Sequence, residues 1–416
     1  AAADEYLRHV LSRYGSTTHY RDDGEVRLSV EADGVTQRFT APMRVLLDGT
    51  NIWIAAYDGR LWSDGDRTLG WIHDEKSNHH DGQVVVGPTA APQGRPELKR
   101  LLNEPTLREK IVAGLGGPPP QLEWLLEPDP MAKLFDGKQT KVEYAGIRSR
   151  DDLDHIVVEA VADDQRYRFW IDGQKSLIRS VDLPIELAEE NPSTPDGWRV
   201  RSLELRLPNA TFAPAEKRST LGEMRFGKPP SQPKYVRAMV PLPPRQPHRS
   251  IGRALGRFEA RDASGRWTVN ERGAGSDFTF FAVVPSDSRG ASVLQSLPLI
   301  DAQVPPALRA RLTFVILVDE DNSATLDPAR FRVIQDRRTA VSQRMGLAGG
   351  ASCLVDQTGR VLWIADAPQW IDPTSVAAIL VDAAAGIDVP TRMIKAWEND
   401  QSAYLQKLRE LRAEAP

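Results

Sequence analysis

The chain has 416 residues, more than one hydrophobic core usually serves, so two domains are expected. Its 53 basic and 57 acidic residues give a net charge of −4 with no dense basic stretch, which argues against a nucleic-acid partner. The longest apolar runs, such as residues 313–318, fall far short of the roughly 20 residues that cross a bilayer, so no membrane span is predicted.

In the first half of the chain, the spacing of apolar residues alternates between the pattern of a helix and the pattern of strands. Residues 3–14 carry apolar side chains at helical spacing, and alternating strands separated by ADG, DGT and YDG turns follow. Helical spacing returns over residues 96–135, interrupted by GLGGPPP, before strands resume. We therefore predict an antiparallel sheet with a helical insertion, extending over residues 1–226.

The second half begins after a proline-rich segment. Residues 227–252 contain so many prolines that an extended, semi-rigid linker is predicted. Over residues 253–388 strands alternate with helices, which indicates a mixed sheet flanked by helices. Residues 389–416 form an amphipathic segment, predicted to be a C-terminal helix that must dock on a protein surface.

A single cysteine, Cys353, limits the chemistry of the chain. One cysteine cannot form an internal disulfide, a cysteine-based zinc site or a dithiol centre. The histidines of WIHDEKSNHHDG lie in a polar, glycine-flanked stretch that we interpret as an exposed loop. We predict neither a metal site nor a cofactor.

Three segments between residues 255 and 388 carry a resemblance to a known family. The segments DFTFFAVV, TFVILVD and GGASCLVDQTGRVLWI follow one another in this order. Together they resemble the redoxin branch of the thioredoxin superfamily. The resemblance implies that DFTFFAVV is the central strand leading into the active-site turn and that TFVILVD is the next core strand. It also implies a helix that starts at Pro328 with Asp327 as its N-cap.

The redox motif of that family is missing here. Redoxins carry Cys-x-x-Cys at a helix N-terminus, where free N–H groups and the helix dipole lower the thiol pKa. Pro285 and Ser288 take the two cysteine positions, and Gly350 takes the place of the family's cis-proline. A serine hydroxyl forms no disulfide, so we predict no catalytic residue. Cys353, inside the apolar strand SCLV, is expected to be a buried core thiol.

The first half resembles a second family. The opening DEYLRHVLSRYGSTTHYRDDGEVRLSV, the long meander and the helical insertion over residues 3–240 are similar to the lipoprotein-carrier (LolA-like) fold, an incomplete barrel capped by helices. The resemblance implies an apolar cavity between sheet and helices, suited to acyl chains. The residues expected to bind the ligand are Leu98, Leu101, Leu102, Ile111, Leu122, Trp124, Leu125, Met131 and Phe135.

The predicted fold class is α+β: a curved antiparallel sheet capped by helices, then an α/β thioredoxin-like domain and a C-terminal helix. The leading hypothesis is a non-enzymatic binding protein that holds a lipid or acyl-chain ligand, or a partner's apolar segment, with a protein partner for the C-terminal helix. We expect it to be exported to the periplasm or cell envelope, although the chain opens without signal-sequence features. The alternatives are an interaction protein with a filled core and a thiol-dependent oxidoreductase.

Overall fold

The chain divides into two compact units, Ala1–Leu242 with Leu405–Pro416, and Pro243–Tyr404. The computed structural model describes residues 2–32, 34–112, 118–130, 132–135, 140–189, 198–213, 229–255, 259–261, 267–269, 277–318, 326–327, 329–336, 339–366 and 371–415. The division falls inside the proline-rich segment, and the last residues of the chain belong to the first unit.

The first unit is built on strands. Its described strands are β1 (His19–Arg21), β2 (Gly24–Ala32), β3 (Val35–Asp48), β4 (Asn51–Ala56), β5 (Gly59–Ser63), β6 (Arg67–Ile72), β7 (Gln83–Pro88), β8 (Thr140–Arg150), β9 (Leu153–Ala162), β10 (Gln165–Asp172), β11 (Leu177–Leu183), β12 (Arg199–Arg206) and β13 (Lys234–Val236). Its helices are α1 (Ala2–Ser16), α2 (Leu98–Leu101), α3 (Pro105–Val112), α4 (Pro120–Leu126), α5 (Ala132–Phe135) and α6 (Glu186–Glu189). The predicted N-terminal helix and helical insertion are confirmed.

These strands form one 13-stranded sheet in the order β13-β7-β6-β5-β4-β3-β2-β12-β11-β10-β9-β8, with β1 attached to β3. Neighbours are antiparallel except β13 and β7, which run parallel. Strand β12 pairs with β2. The strands after the helical insertion, β8 to β12, therefore extend the sheet formed by β2 to β7 and do not form a separate sheet. Among the described strands β13 and β8 are the two ends, and the sheet does not close into a barrel.

One face of this sheet is buried under the helices. Side chains alternate along a strand, so in β10 Tyr167, Phe169 and Ile171 face the core while Trp170 lies on the opposite face. Helix α1 contributes the buried residues Leu7, Val10, Leu11 and Tyr14 to the same core. The apolar side of the amphipathic helix α1 thus packs against the apolar face of the sheet.

Tyr14 links the helices to the sheet. Its ring contacts Tyr20 and Trp124, each at a centroid distance of 5.5 Å, and the Ile178 N–H donates to its hydroxyl at 3.0 Å. Arg95 adds a second connection, because its guanidinium donates to the carbonyls of Tyr14, Thr17 and Leu125. The last carbonyls of α1 and α4 lack helical partners, so one side chain satisfies the ends of both helices.

The second unit contains a smaller, five-stranded sheet in the order β18-β17-β16-β19-β20. Its strands are β16 (Phe278–Val284), β17 (Leu312–Val318), β18 (Phe331–Gln335), β19 (Ser352–Asp356) and β20 (Val361–Ala365), with a separate hairpin of β14 (Glu259–Arg261) and β15 (Trp267–Val269). Strands β16, β17 and β18 run parallel to one another, β19 runs antiparallel to β16, and β20 runs antiparallel to β19. The expected central position of DFTFFAVV, which contains β16, is confirmed.

Helices cover both faces of the smaller sheet. The described helices in this part of the chain are α7 (Ser288–Gln303), α8 (Pro306–Arg309), α9 (Ala340–Met345), α10 (Pro373–Ala384) and α11 (Val389–Glu410), and α11 belongs to the first unit from Leu405 on. Residues of α7 and α10 pack on one face, and Met345 of α9 packs on the other with Ile251 and Leu255. This is the mixed, helix-flanked sheet that the sequence predicts.

The predicted helix at Asp327 is wrong. The Asp327 side chain accepts the Ala329 N–H at 2.9 Å, and its carbonyl accepts the Phe331 N–H at 2.8 Å. The described residues therefore make a turn that leads directly into β18, since aspartate favours turns as readily as helix caps. Residues 319–325, which come before Asp327 in the segment DEDNSATLD, lie outside the described residues.

Among the described residues, no single helix is both long and apolar enough to cross a membrane, but α10 and α11 pass that test together across a 117° bend.

Asp22 makes the stability of the first unit depend on pH. This carboxyl is 1% exposed and accepts the Val45 N–H at 2.9 Å, and burial raises its pKa to about 7. The folded chain thus holds the proton more tightly than the unfolded chain. The stability contributed by the neutral form is complete below about pH 4 and is lost as the pH rises through about 7.

We expect the stability that Asp22→Asn gains over the parent to be larger at pH 8 than at pH 5, by about 1–3 kcal/mol. The amide can still accept the Val45 N–H but has no charge to bury. Urea denaturation of both proteins at the two pH values measures the difference. An equal difference at pH 5 and pH 8 would contradict the assignment.

Candidate functional site

A cavity of about 510 Å³ lies between the helical insertion and the second run of strands. We call it the α4–β10 cavity. Its walls come from α4, α5, α6, β10, β11 and the proline-rich loops around α4. The lining residues are Pro118, Pro120, Glu123, Trp124, Glu127, Pro128, Asp129, Pro130, Ala132, Leu134, Tyr167, Phe169, Val181, Leu183 and Leu187.

The floor of the cavity is aromatic and aliphatic. Tyr167 and Phe169 point to the same side of β10, and Val181 lies opposite Phe169 in the antiparallel register. The Tyr167 and Phe169 rings stack at 6.3 Å between centroids, and Trp124 from α4 lies 6.2 Å from Phe169. Side-chain alternation along two adjacent strands thus brings apolar groups from three elements together.

The rim of the cavity carries prolines and carboxylates. Helix α4 begins with Pro120 at its first turn, where the fixed φ of proline suits a helix start. Glu123, Glu127 and Asp129 lie in or just after this helix and line the cavity, and its described lining contains no lysine or arginine. Burial, followed by the negative charges of Glu123 and Glu186, raises the pKa of Tyr167 to about 12. The Tyr167 phenol therefore stays neutral at physiological pH.

Most of the residues expected to bind the ligand lie elsewhere. Trp124 lines the α4–β10 cavity, and Leu101 lines a separate groove of about 680 Å³ beside α2 and α3. Phe135 is half-buried with the Arg8 guanidinium 3.8 Å from its ring centre. Met131 lies outside the described residues. The remaining members of the set are core residues with at most 7% exposure: Leu98, Leu102, Ile111, Leu122 and Leu125.

Ile111 shows why helical spacing alone could not place the cavity. A β-carbon at Gly59 would lie 2.4 Å from Ile111 Cγ1, so α3 sits against β5 at a distance that only glycine allows. The helical insertion is therefore packed solidly on the sheet at α3 and leaves space near α4. The sequence signal for the true floor was the alternation in RYRFWI, which contains Tyr167 and Phe169.

In the second unit the positions that match the redox motif come together as the resemblance implies. Pro285 follows β16, and α7 begins at Ser288, whose side chain lies outside the description. The Gly350 N–H donates to the Val283 carbonyl at 2.9 Å, and a β-carbon at Gly349 would lie 3.6 Å from Pro285 Cβ. Gly350 has a φ of +87°, which proline cannot adopt.

Cys353 is a core thiol, as expected. It lies opposite Phe281 in the β16–β19 register and has no exposed surface. Its neighbours are the apolar residues that β16, β17 and β19 turn toward α9. Burial raises the pKa of the Cys353 thiol well above its usual range, so the reactive thiolate is scarce at neutral pH.

The histidine-rich loop forms no metal centre among the described residues, where no group of three or more metal-ligating side chains occurs. The rings of His73 and His79 stack at 4.9 Å, and His80 Nε2 lies 3.0 Å from the Val240 carbonyl. Asn78, His79, His80 and Asp81 all have φ between 50° and 56°, a left-handed turn that ends at Gly82. The loop is thus held by local packing.

Neither a known protein family nor a curated protein matches the sequence. The chain is similar to a secreted disulfide oxidoreductase from Mycobacterium tuberculosis, with 11% identity, 30% of this chain and 94% of the other covered, and a TM-score of 0.23. It is also similar to a thiol:disulfide interchange protein of DsbE type from Chlorobium tepidum, with 16% identity, 32% of this chain and 96% of the other covered, and a TM-score of 0.25. A third similar structure is a DUF1329 family protein from Desulfovibrio piger, with 9% identity, 54% of this chain and 98% of the other covered, and a TM-score of 0.22.

These similarities are too distant to establish a family or an activity. The fold of each unit rests on its own strand order and register. None of the three structures is described as a lipoprotein carrier, so the LolA-like resemblance of the first unit stays a prediction.

We expect the native protein to give almost no reaction with Ellman's reagent over several minutes, because Cys353 is fully buried and protonated. In guanidinium chloride the same protein should release one thiol per chain, since Cys353 is the only cysteine. Ser402→Cys, at an exposed position of α11, provides the control and should label at once in the native state. Rapid native labelling of the parent would revive the thiol-enzyme alternative.

Proposed function

We propose that the first unit binds an apolar, lipid-like molecule in the α4–β10 cavity, and that the thioredoxin-like unit is a non-enzymatic support. One observation carries the first part: a cavity of about 510 Å³ whose floor is built from Trp124, Tyr167, Phe169 and Val181. Small-molecule sites usually have volumes of about 300–1,000 Å³ and mainly apolar walls with a few polar groups. The cavity meets both conditions.

The expected affinity follows from its size. Each methylene transferred from water to an apolar wall contributes about 0.8 kcal/mol, so eight to ten methylenes give roughly 6–8 kcal/mol. Loss of translational and rotational freedom on association opposes this gain. An amphiphile of about twelve carbons should therefore bind no more tightly than the micromolar range.

The support role of the second unit is proposed from its chemistry. Pro285, Ser288 and Gly350 occupy the positions of the redox motif, and the thiol of Cys353 is buried in the core. A scaffold without an accessible thiol can hold or recognise other molecules but cannot exchange disulfides. We further propose that the protein works in the periplasm or cell envelope, where carriers of apolar molecules are required.

A second candidate function is that of an interaction protein. It is favoured by apolar side chains exposed on α11, among them Ile394 and Leu405 at 37% and 47%. The two candidates differ in one measurable property, because an interaction protein with a filled core takes up no small apolar probe.

We expect N-phenyl-1-naphthylamine, a neutral fluorescent probe, to bind the delipidated protein saturably, with a stoichiometry of one and a Kd in the micromolar range or weaker. Ala132→Trp and Leu187→Trp place a large ring in the cavity from α5 and α6, where both native side chains are half-buried and line the space. Each should weaken probe binding about tenfold or more, since the ring occupies volume that the probe needs. Fluorescence titration measures both quantities.

Leu153→Trp is the matched control. Leu153 is 53% exposed and does not line the cavity, so the same added ring should leave the probe affinity unchanged. Thermal melts of all three variants establish that they fold. Absence of saturable probe binding by the parent, or equal binding by all variants, would contradict the proposed site.

A further inference from the structure

We infer that the α4–β10 cavity selects neutral molecules with a planar aromatic ring system over flexible alkyl chains of equal apolar content. This inference rests on the proposed function and specifies its ligand class. The observation behind it is the floor of the cavity, where Trp124 of α4 meets Tyr167 and Phe169 of β10. A floor of three aromatic rings discriminates ligands by ring contacts as well as by the apolar area that they bury.

The three rings offer both of the contact geometries that aromatic pairs prefer. The Tyr167 and Phe169 rings are nearly parallel, with 17° between their planes, so a flat ligand can lie parallel to both at once. The Trp124 ring is tilted by 53° from Phe169 at a centroid distance of 6.2 Å, so it is inclined to the same ligand. Offset-stacked and edge-to-face contacts are favourable because the negative face of one ring meets the positive edge of another.

Contacts within the first unit hold these rings in position. Phe169 and Tyr167 are 1% and 5% exposed, and the Tyr167 hydroxyl donates to Gln165 Oε1 at 3.2 Å. The Trp124 ring meets the Tyr14 ring edge-on at 5.5 Å. Side chains that are already ordered lose little freedom when a ligand packs on them. The orientation that suits a planar ligand therefore exists before binding.

The flexibility of the ligand acts in the same direction. An alkyl chain must give up the freedom of many rotatable bonds to fit a cavity, whereas a fused ring system has none to give up. Four prolines line the α4–β10 cavity and restrict its backbone: Pro118, Pro120, Pro128 and Pro130. Walls with a restricted backbone adapt little to the many shapes of a chain, so a rigid ligand is favoured.

A second space between the helices and the sheet of the first unit provides a comparison. This α2–β7 groove, of about 680 Å³, is lined by residues of β5, β6, β7, α2 and α3 together with residues 237–238. Its larger apolar members are aliphatic, among them Leu61, Val85 and Leu101, and its described lining contains no aromatic side chain. An alkyl chain can bury apolar area in either space. Of the two, only the α4–β10 cavity adds ring contacts for a planar ligand.

The test is displacement of bound N-phenyl-1-naphthylamine by three neutral alcohols of twelve carbons, each used below its solubility limit. They are 2-naphthaleneethanol, its saturated analogue 2-(decahydro-2-naphthyl)ethanol, and 1-dodecanol. Dividing each affinity by the measured dodecane–water partition coefficient removes the general gain from burying apolar surface. Each aromatic pair adds a factor of about two to ten, so the corrected affinity of 2-naphthaleneethanol should exceed that of each other alcohol about tenfold or more.

Tyr167→Leu removes one ring from the floor and keeps an apolar side chain. It should lower the corrected affinity for 2-naphthaleneethanol by about three- to tenfold and change that for the saturated analogue by less than about twofold. Tyr167→Phe keeps the ring and should keep the parent's preference. Tyr144→Leu is the matched control, because Tyr144 is 50% exposed and does not line the cavity. Thermal melts establish that the variants fold, and the order of the three alcohols in the parent is a test that needs no variant.

Failure of the inference and failure of the proposed function give different results. If the probe binds but the three corrected affinities are equal, or 1-dodecanol has the highest, the preference for rings is overturned and the proposed function stands. If the parent shows no saturable probe binding, the proposed function fails and the inference fails with it. A preference that survives in Tyr167→Leu, or is lost equally in Tyr144→Leu, would also overturn the inference.

Discussion

The arrangement of the first unit depends on Tyr14, where an aromatic side chain is fixed both by its ring and by its hydroxyl. The ring packs against Tyr20 and Trp124, and the hydroxyl accepts the Ile178 N–H of β11. A buried N–H without a partner costs about 1–3 kcal/mol, so this bond determines where α1 can dock. Because Trp124 is also a wall of the α4–β10 cavity, the contact that fixes α1 also fixes one side of the cavity.

The helices of the insertion do not all pack equally closely on the sheet, and the α4–β10 cavity lies where they pack least closely. Helix α3 lies directly on β5 above Gly59, whereas α4 starts with Pro120 and ends against the Arg95 guanidinium. Arg95 fixes the end of α4 by donating to the Leu125 carbonyl at 2.6 Å. The prolines beside α4 restrict the backbone at the cavity rim, and a restricted rim lowers the ordering cost of binding.

In the second unit, the turn after β16 packs closely against its neighbours. A β-carbon at Gly290 would lie 1.9 Å from the Pro285 carbonyl oxygen, so glycine is required for the turn after β16 to fold back on the start of α7. The turn and the Gly349–Gly350 loop approach each other as the resemblance implies, yet the φ of Gly350 differs from that of a proline. Pro285 and Ser288 stand at the positions where the resemblance places the two cysteines.

The sequence by itself determined the elements whose information is local: the amphipathic α1, the alternating strands, the helical insertion, and the apolar β16 and β19 with a buried Cys353. Periodicity reports which face of an element is apolar, and a lone cysteine excludes a dithiol. Only the tertiary structure decided that β12 pairs with β2, that Ile111 fills the core, and that Tyr167 and Phe169 form the cavity floor. Leucines at helical spacing look alike whether they line a space or fill one. The distance between helix and sheet separates the two cases, and that distance is set by contacts between residues far apart in the chain.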